Sequence, residues 1–148
     1  MKAADGRVLI DTNILIYATL ENDPRSERSR ELLLSPGREE LYTSVQNLAE
    51  MYLSLTGPRM EQPDLPSVAR AKILSIASLP SLQVLPLTGD VQAIALELCE
   101  KYAITRQRYY DAQIAATMIV HGIRTLLTEN DRDFKDMTEI RAVNPFPA

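Results

Sequence analysis

Four acidic residues that lie far apart in the sequence each occupy a position that folding can bring to a common site. Asp11 follows the hydrophobic segment VLI, Glu50 ends SVQNLAE, Asp111 begins DAQIAA and Asp133 lies in LLTENDRDF. Carboxylates that crowd together repel one another unless a cation or protons lie between them. Because oxygen ligands suit Mg²⁺ and Mn²⁺, the four acids predict a metal site.

Hydrophobic patterning predicts five strands that alternate with helices. The strands are predicted at residues 7–10, 41–43, 83–85, 125–128 and 140–143. Helices are predicted just after Asp11, up to residue 34, after Ser44, at 67–79, up to Tyr102 and at 109–121. Since parallel neighbours need long connections, this alternation predicts an α/β three-layer sandwich around a mainly parallel five-stranded sheet.

Capping residues and helix breakers mark the ends of these elements. Thr12 or Asn13 is predicted to cap the first helix, Ser44 the helix that carries Glu50, and Thr88 or Asp90 a later one. Gly122 is predicted to end the helix that begins near Tyr109. Residues 57–66 contain three prolines and are predicted to form an exposed loop.

The predicted topology brings the acids together, because ligands of such sheets collect at the carboxyl ends of the strands. Asp11 ends the first strand, and Asp133 follows the fourth. Asp111 lies near a helix N-terminus, where the helix dipole favours a negative charge. The position of Glu50 relative to the other three acids is the least determined, since Glu50 lies in the middle of its helix.

Each acid also has a purely structural interpretation. Asp11 could cap a helix, Asp111 could interact only with a helix dipole, Glu50 could be a solvated helix acid and Asp133 a turn residue. These interpretations apply to each residue singly. The metal site is the interpretation that accounts for all four at one edge of the sheet.

Composition indicates one ordinary domain over residues 1–148, with 45% hydrophobic and 24% charged residues. No apolar stretch is long enough for a membrane span, so we expect a cytoplasmic, unprocessed protein. The single cysteine, Cys99, cannot form an internal disulfide, and the single histidine, His121, precedes Gly122 and is predicted to lie at a helix end. The net charge of −4 does not exclude a nucleic-acid substrate, because a metal would offset the acids of the site.

The segments that carry these acids resemble a PIN-domain ribonuclease, and specifically the VapC toxins of bacterial and archaeal toxin–antitoxin pairs. The matching segments are IDTNILIY, NLAE, DAQIAATMIVHG and LLTENDRDF followed by a strand and NPF. The resemblance implies that Asp11, Glu50 and Asp111 are the three central acids of the family. The fourth position is Asn130 or Asp133, with Asp131 between them, and we favour Asp133 with Asn130 assisting.

The resemblance implies an endoribonuclease that uses Mg²⁺ or Mn²⁺ to hydrolyse RNA phosphodiester bonds. Asp11 and Asp111 are expected to bind the principal metal directly. Glu50 is expected to orient or deprotonate the attacking water, and Asp133 to complete the site or hold a second ion. Hydrogen bonds that orient these ligands are expected from Thr12, Asn13 and Thr128.

The resemblance also implies partners, namely a second copy of the chain in a homodimer and a cognate antitoxin. Ile16 and Leu20 could provide docking area for the antitoxin, or could simply belong to the core. Arg106 and Arg108 are candidates for contacts to RNA phosphates, and Tyr109 or Tyr110 for stacking on a base. The alternative is that the arginines are solvated and one tyrosine belongs to the core.

Two other functions are compatible with parts of the pattern. A haloacid-dehalogenase-like phosphatase also has an aspartate after its first strand, but it requires a second acid where Asn13 lies. A non-catalytic PIN-like interaction module is the second alternative. In such a module some of the acidic positions would be expected to hold other residues, whereas all four hold acids here.

Overall fold

The computed structural model describes residues 6–147 and contains a five-stranded sheet. The strands are β1 (Arg7–Ile10), β2 (Glu40–Ser44), β3 (Leu82–Leu85), β4 (Thr125–Leu127) and β5 (Arg141–Val143). They lie in the order β3-β2-β1-β4-β5, and all four pairings are parallel. The predicted α/β architecture with a mainly parallel sheet is therefore confirmed.

Within residues 6–147, six α-helices connect and cover the strands. They are α1 (Thr12–Thr19), α2 (Ser26–Leu34), α3 (Val45–Leu55), α4 (Pro66–Ala77), α5 (Gly89–Tyr102) and α6 (Tyr109–Val120). Two 3₁₀ turns, Arg106–Arg108 and Asp131–Phe134, lie in segments that the sequence pattern did not resolve into elements. Most predicted boundaries agree with the observed ones within one or two residues.

Alternate residues of the central strand pack against two separate layers of helices. Val8 and Ile10 belong to a core cluster with residues of α1–α4, whereas Leu9 belongs to a cluster with residues of α5 and α6. This division follows from the side-chain period of two in a strand that is buried on both faces. Ile16 is buried in the first cluster and Leu20 packs against it, so both contribute to the core.

The order in which the strands are added to the sheet reverses at β1, although all the strands stay parallel. The chain proceeds from β1 to β2 and β3 on one side, and then crosses to β4 and β5 on the other. In open parallel sheets the crevice at such a reversal, beyond the carboxyl ends of the strands, is the usual place for a ligand. The residues after β1 and β4 therefore lie where a site is expected.

The helix ends correct two of the predictions. Asp11, rather than Thr12 or Asn13, caps α1, because its backbone is extended and its side chain accepts a hydrogen bond from the Thr12 N–H. Pro66 begins α4 instead of ending the loop, consistent with the preference of proline for the first turn of a helix.

Other predicted ends are confirmed. Ser44 and Thr88 cap α3 and α5 by accepting from backbone N–H groups. His121 follows the last residue of α6, and Gly122 has a φ of +67°, the left-handed conformation that favours glycine at a helix end.

Two further predictions concern membrane spans and the extent of the domain. Within residues 6–147, none of the helices combines the length and hydrophobicity needed to cross a bilayer. The prediction of one domain over residues 1–148 includes Met1, Lys2, Ala3, Ala4, Asp5 and Ala148, which lie outside the described residues. It stays a prediction.

The two candidate caps of α5 are expected to differ in their effect on stability. Replacing Thr88 by Ala removes the oxygen that accepts from the Val91 N–H at 3.3 Å, and should lower the free energy of unfolding by about 1 kcal/mol. Replacing Asp90 by Ala removes only a favourable charge in the first turn, worth about 0.3 kcal/mol. Urea unfolding measures both, and an equal or larger loss for Asp90→Ala would contradict Thr88 as the cap.

Candidate metal centre

Asp11 lies at the carboxyl end of β1 and is almost fully buried, with 6% of its surface exposed. Its Oδ1 accepts from the Thr12 N–H at 2.8 Å and from Asn47 Nδ2 at 3.2 Å, and its Oδ2 accepts from the Thr128 hydroxyl at 2.7 Å. All three donors are neutral groups. Burial still raises the pKa of Asp11, although these hydrogen bonds lower it.

Asn47 is a contact of Asp11 that the sequence analysis missed. Its amide Nδ2 donates to Thr12 Oγ1 at 3.1 Å as well as to Asp11, and its backbone oxygen accepts from the Thr12 hydroxyl at 3.2 Å. Asn47 lies three residues before Glu50 on α3, a spacing that places two side chains on neighbouring parts of one helix face. That spacing was the available sequence signal.

Thr128 links the end of β4 to both α1 and Asp11. Its hydroxyl donates to Asp11 and accepts from Asn13 Nδ2 at 3.2 Å and from the Asn130 N–H at 3.0 Å. A hydroxyl has one donor and two acceptor sites, so these contacts use its full capacity. The orientation of the Thr128 hydroxyl toward Asp11 is thereby fixed.

Glu129 anchors the segment after β4 from the other side. Its carboxylate accepts from both Arg25 Nη1, at 2.9 and 2.8 Å, and the Tyr17 hydroxyl. The Arg25 guanidinium also lies 3.8 Å from the centre of the Tyr17 ring and pairs with Asp23. This network holds the loop between β4 and the Asp131–Phe134 turn against α1.

Glu50 faces the site from the middle of α3. Burial raises its pKa, and the negative charges of Asp11 and Asp111 raise it further, while a hydrogen bond from Gln46 lowers it. The carboxylate Oε1 accepts from Gln46 Nε2 at 2.6 Å. The effect of the Asp11 and Asp111 charges indicates that Glu50 lies within electrostatic range of both, and its role in the site stays a prediction.

Asp111 lies in the first turn of α6. Burial raises its pKa to about 6, the charges of Asp133 and Asp11 also raise it, and Arg108 lowers it. The Arg108 Nε lies 3.9 Å from Asp111 Oδ2, a long contact for an ion pair. Burial and repulsion therefore outweigh the effect of this cation on the pKa of Asp111.

Asp133 is exposed in its 3₁₀ turn, yet its charge raises the pKa of both Asp11 and Asp111. Its backbone oxygen accepts from Arg108 Nη2 at 3.0 Å, which ties the turn to the start of α6. Asn130 contacts the site through its backbone N–H. These observations favour Asp133 for the fourth position, with Asn130 as a neighbour.

The donor set fits a hard divalent cation. The four acids supply only oxygen atoms, and their mutual repulsion is the interaction that a cation would relieve. Within residues 6–147 no three Asp, Glu, His or Cys side chains are gathered closely enough to hold an ion on their own. That openness is compatible with Mg²⁺, which usually keeps several waters and binds one or two carboxylates.

The candidate RNA contacts lie in the turn before α6 and in the first turn of α6, the helix that carries Asp111. Arg106, Arg108 and Tyr110 are exposed, whereas Tyr109 packs against the core and meets Tyr110 edge to face at 5.6 Å. The core interpretation therefore applies to Tyr109. A role in RNA binding for Arg106, Arg108 or Tyr110 stays a prediction.

Comparison with known protein families identifies the kind of domain that carries this site. The model of the PIN domain family matches residues 8–140. The chain belongs to the PIN domain family. The match spans β1 to the residue before β5, and so includes all four acids of this PIN domain.

Individual proteins resemble this PIN domain along most of its length. Ribonuclease VapC24 of Mycobacterium tuberculosis is 27% identical over 137 residues, which cover 92% of this chain and 94% of that protein. The crystal structure of VapC20 of Mycobacterium tuberculosis, a sarcin-ricin loop cleaving toxin, has a TM-score of 0.67 at 21% identity over 90% of this chain and 98% of that one. A toxin–antitoxin complex from Klebsiella pneumoniae has a TM-score of 0.65 at 19% identity, covering 95% and 99% of the two chains.

The raised pKa of Asp111 predicts how the stability of the metal-free PIN domain depends on pH. Since the folded state binds this proton more tightly than the unfolded chain, Asp111 reduces stability as the pH rises from about 4 to about 6. Asp111→Asn should therefore raise the melting temperature at about pH 7.5 and change it little at about pH 4.

Thermal unfolding in a chelator measures this effect, with the exposed Asp136→Asn as the matched control. The control should show no such difference between the two pH values. A lower melting temperature for Asp111→Asn at the higher pH would contradict the electrostatic account of this residue.

Proposed function

We propose that this PIN domain is an endoribonuclease that uses Mg²⁺ or Mn²⁺ to hydrolyse RNA phosphodiester bonds, and that it is the toxin of a toxin–antitoxin pair. The observation that carries the proposal is the set of carboxylates from four separate segments, in which the charges of Asp11, Asp111 and Asp133 raise the pKa of neighbouring acids. The similarity to ribonuclease VapC24 supports the choice of RNA as substrate. We place the activity in the cytoplasm, where its RNA substrates would be found.

Asp11 and Asp111 would hold the principal ion, and Asp133 would complete the site or hold a second one. When bound, Mg²⁺ or Mn²⁺ supplies Lewis-acid stabilisation of charge on the phosphodiester and makes a nearby water more acidic. The neutral donors on Asp11 keep its carboxylate oriented without supplying a competing positive charge. Thr12, Asn13, Asn47 and Thr128 thus act as positioning residues in the proposal.

Glu50 would contribute to holding the ion and would take the proton from the attacking water. Gln46 occupies its Oε1, so Oε2 is the oxygen assigned to the proton transfer. A general base works best when its pKa approaches the working pH, and burial together with the neighbouring acids shifts the pKa of Glu50 in that direction. The cleavage step is then an in-line displacement at phosphorus, in which the water oxygen forms a P–O bond while the P–O bond to the ribose leaving oxygen breaks and that oxygen takes a proton from solvent water.

The phosphatase alternative loses its support at Asn13. A second acid two residues after Asp11 is needed for that mechanism, whereas the Asn13 amide donates to Thr128 Oγ1 and accepts from the Glu129 N–H. Asn13 is therefore occupied in holding the loop after β4. Measurement of RNA cleavage distinguishes the nuclease from a non-catalytic interaction module.

An antitoxin partner is proposed by analogy with the toxin–antitoxin complex from Klebsiella pneumoniae. A groove of about 680 Å³ between the α1–α2 connection and the loop before α4 offers a place for such a segment. Its lining includes the Tyr17 and Arg25 side chains of the network that anchors Glu129. A segment bound there would lie close to the loop that precedes Asp133.

A homodimer is proposed through the outer surface of α3, α4 and the loop between them. Leu53 and Leu65 are each 69% exposed, and Val68 and Leu74 are also exposed. Several large apolar side chains exposed on neighbouring elements indicate an interaction surface more strongly than scattered single ones do.

The nuclease proposal predicts metal-dependent cleavage of a mixed RNA pool. The native protein should cut in Mn²⁺ or Mg²⁺ and should stop in a chelator, and Asp11→Asn or Asp111→Asn should lower the rate by at least about 100-fold because a metal ligand is lost. Gel analysis of the RNA with time measures the rate. Asp136→Asn is the control and should cut normally.

The outcomes separate the candidate functions. Cleavage that survives in both site variants would show that another site or a contaminant is responsible. A folded protein that neither binds Mn²⁺ nor cuts RNA would instead favour the interaction module.

The dimer proposal predicts that a charge in the apolar surface separates the two copies. Leu53→Asp should shift the protein from dimer to monomer in light scattering after size-exclusion chromatography, because a buried unpaired charge is costly. Leu96→Asp introduces the same charge on α5 at a similarly exposed position, 57% against 69%. Leu96→Asp should leave the dimer intact. If the unsubstituted protein is itself a monomer in light scattering, the dimer proposal is refuted.

A further inference from the structure

Two buried glutamines connect Glu50 to helix α6. Gln46 Nε2 donates to Glu50 Oε1 at 2.6 Å and to the Tyr110 backbone oxygen at 2.9 Å, while Gln46 Oε1 accepts from Gln113 Nε2 at 2.8 Å. Both glutamines are 7% exposed. A buried amide costs free energy unless its polar atoms are paired, and both polar atoms of Gln46 are paired here.

The direction of the Gln46 amide is fixed by what surrounds it. The Tyr110 carbonyl can only accept a hydrogen bond, so the Gln46 NH₂ group must face it. The same NH₂ group then reaches Glu50, and Oε1 is turned toward Gln113. A reversed amide would place Oε1 against two acceptors, the Tyr110 oxygen and the Glu50 carboxylate.

The bonds of Gln46 also join the two helices that carry neighbouring acids. Gln46 and Glu50 are four residues apart and so lie on one face of α3. Tyr110 directly precedes Asp111 in α6, so the bond from Gln46 to the Tyr110 oxygen reaches the first turn of the helix that carries Asp111. Gln46 therefore links the Glu50 carboxylate to that turn.

We propose that Gln46 and Gln113 are positioning residues that orient Glu50 toward the divalent cation and the attacking water, with Gln113 acting only through Gln46. This proposal rests on the proposed nuclease function. Gln46 on α3 contacts Glu50 directly, and Gln113 on α6 fixes the orientation of the Gln46 amide.

The test compares four variants of the full chain, Gln46→Met, Gln113→Met, the double variant and Gln92→Met. Methionine is close to glutamine in size but cannot make the amide hydrogen bonds. Gln92 is an exposed glutamine on α5 and serves as the control. Isothermal titration calorimetry measures the affinity for Mn²⁺, and multiple-turnover RNA cleavage measures kcat and KM separately.

Gln46→Met should weaken Mn²⁺ binding by about tenfold or more, the usual effect of removing a group that orients a metal ligand. It should lower kcat while KM for RNA stays unchanged. Gln113→Met should cause a smaller loss, and the double variant should match Gln46→Met alone, because residues that act through one contact are not additive. Gln92→Met should behave as the native protein.

Unchanged Mn²⁺ affinity and kcat in folded Gln46→Met would overturn the proposal, as would losses that add in the double variant. If Gln46→Met does not fold, Gln113→Met decides, since it leaves both donors of Gln46 in place. A loss of Mn²⁺ affinity there supports the proposal, and native affinity refutes it.

Failure of the proposed function gives a different result from failure of the glutamine proposal. A native protein that does not cut RNA, but whose affinity for Mn²⁺ is lowered by Gln46→Met, would refute only the nuclease. Cleavage that Gln46→Met leaves intact would refute only the positioning role.

Discussion

The repulsion among four carboxylates at one edge of the sheet is the constraint around which the site is built. Burial is the largest cause of the raised pKa values of Asp11, Glu50 and Asp111, and the charges of neighbouring carboxylates raise these values further. A protein gains nothing in stability from such an arrangement without a counter-charge, and acids in this state are typical of functional sites. A divalent cation would supply the missing charge, and family membership supplies the chemistry that makes it useful.

Neutral hydrogen-bond donors hold the acids in place against this repulsion. Asn47 and Thr128 bind the two oxygens of Asp11, and Gln46 binds Glu50. Because these donors are uncharged, they orient the carboxylates without adding a positive charge that would compete with a cation. The Asn47 bond joins α3 to the end of β1, and the Thr128 bond joins the end of β4 to the end of β1. The bonds of Gln46 to Tyr110 and Gln113 join α3 to α6. The site and the packing of the elements around it therefore depend on one another.

The sequence predicted much of the fold because its signals are local. Alternation of strands and helices, the caps Ser44 and Thr88, and the helix end at Gly122 each depend on a few neighbouring residues. The cap of α1 was placed one or two residues late, since Asp11 was considered mainly as a ligand. Its side chain caps the helix and also faces the crevice, so the structural and functional interpretations of Asp11 are compatible.

By itself, the sequence determined the four acids and the order of the elements that carry them, because strand and helix periodicity can be read along the chain. Only the tertiary structure decided which side chains contact the acids. The bond between Gln46 and Gln113 joins residues 67 positions apart, and the link from Thr128 to Asp11 spans 117 positions. No local pattern records such contacts, since they depend on how α3, α6 and β4 pack around β1.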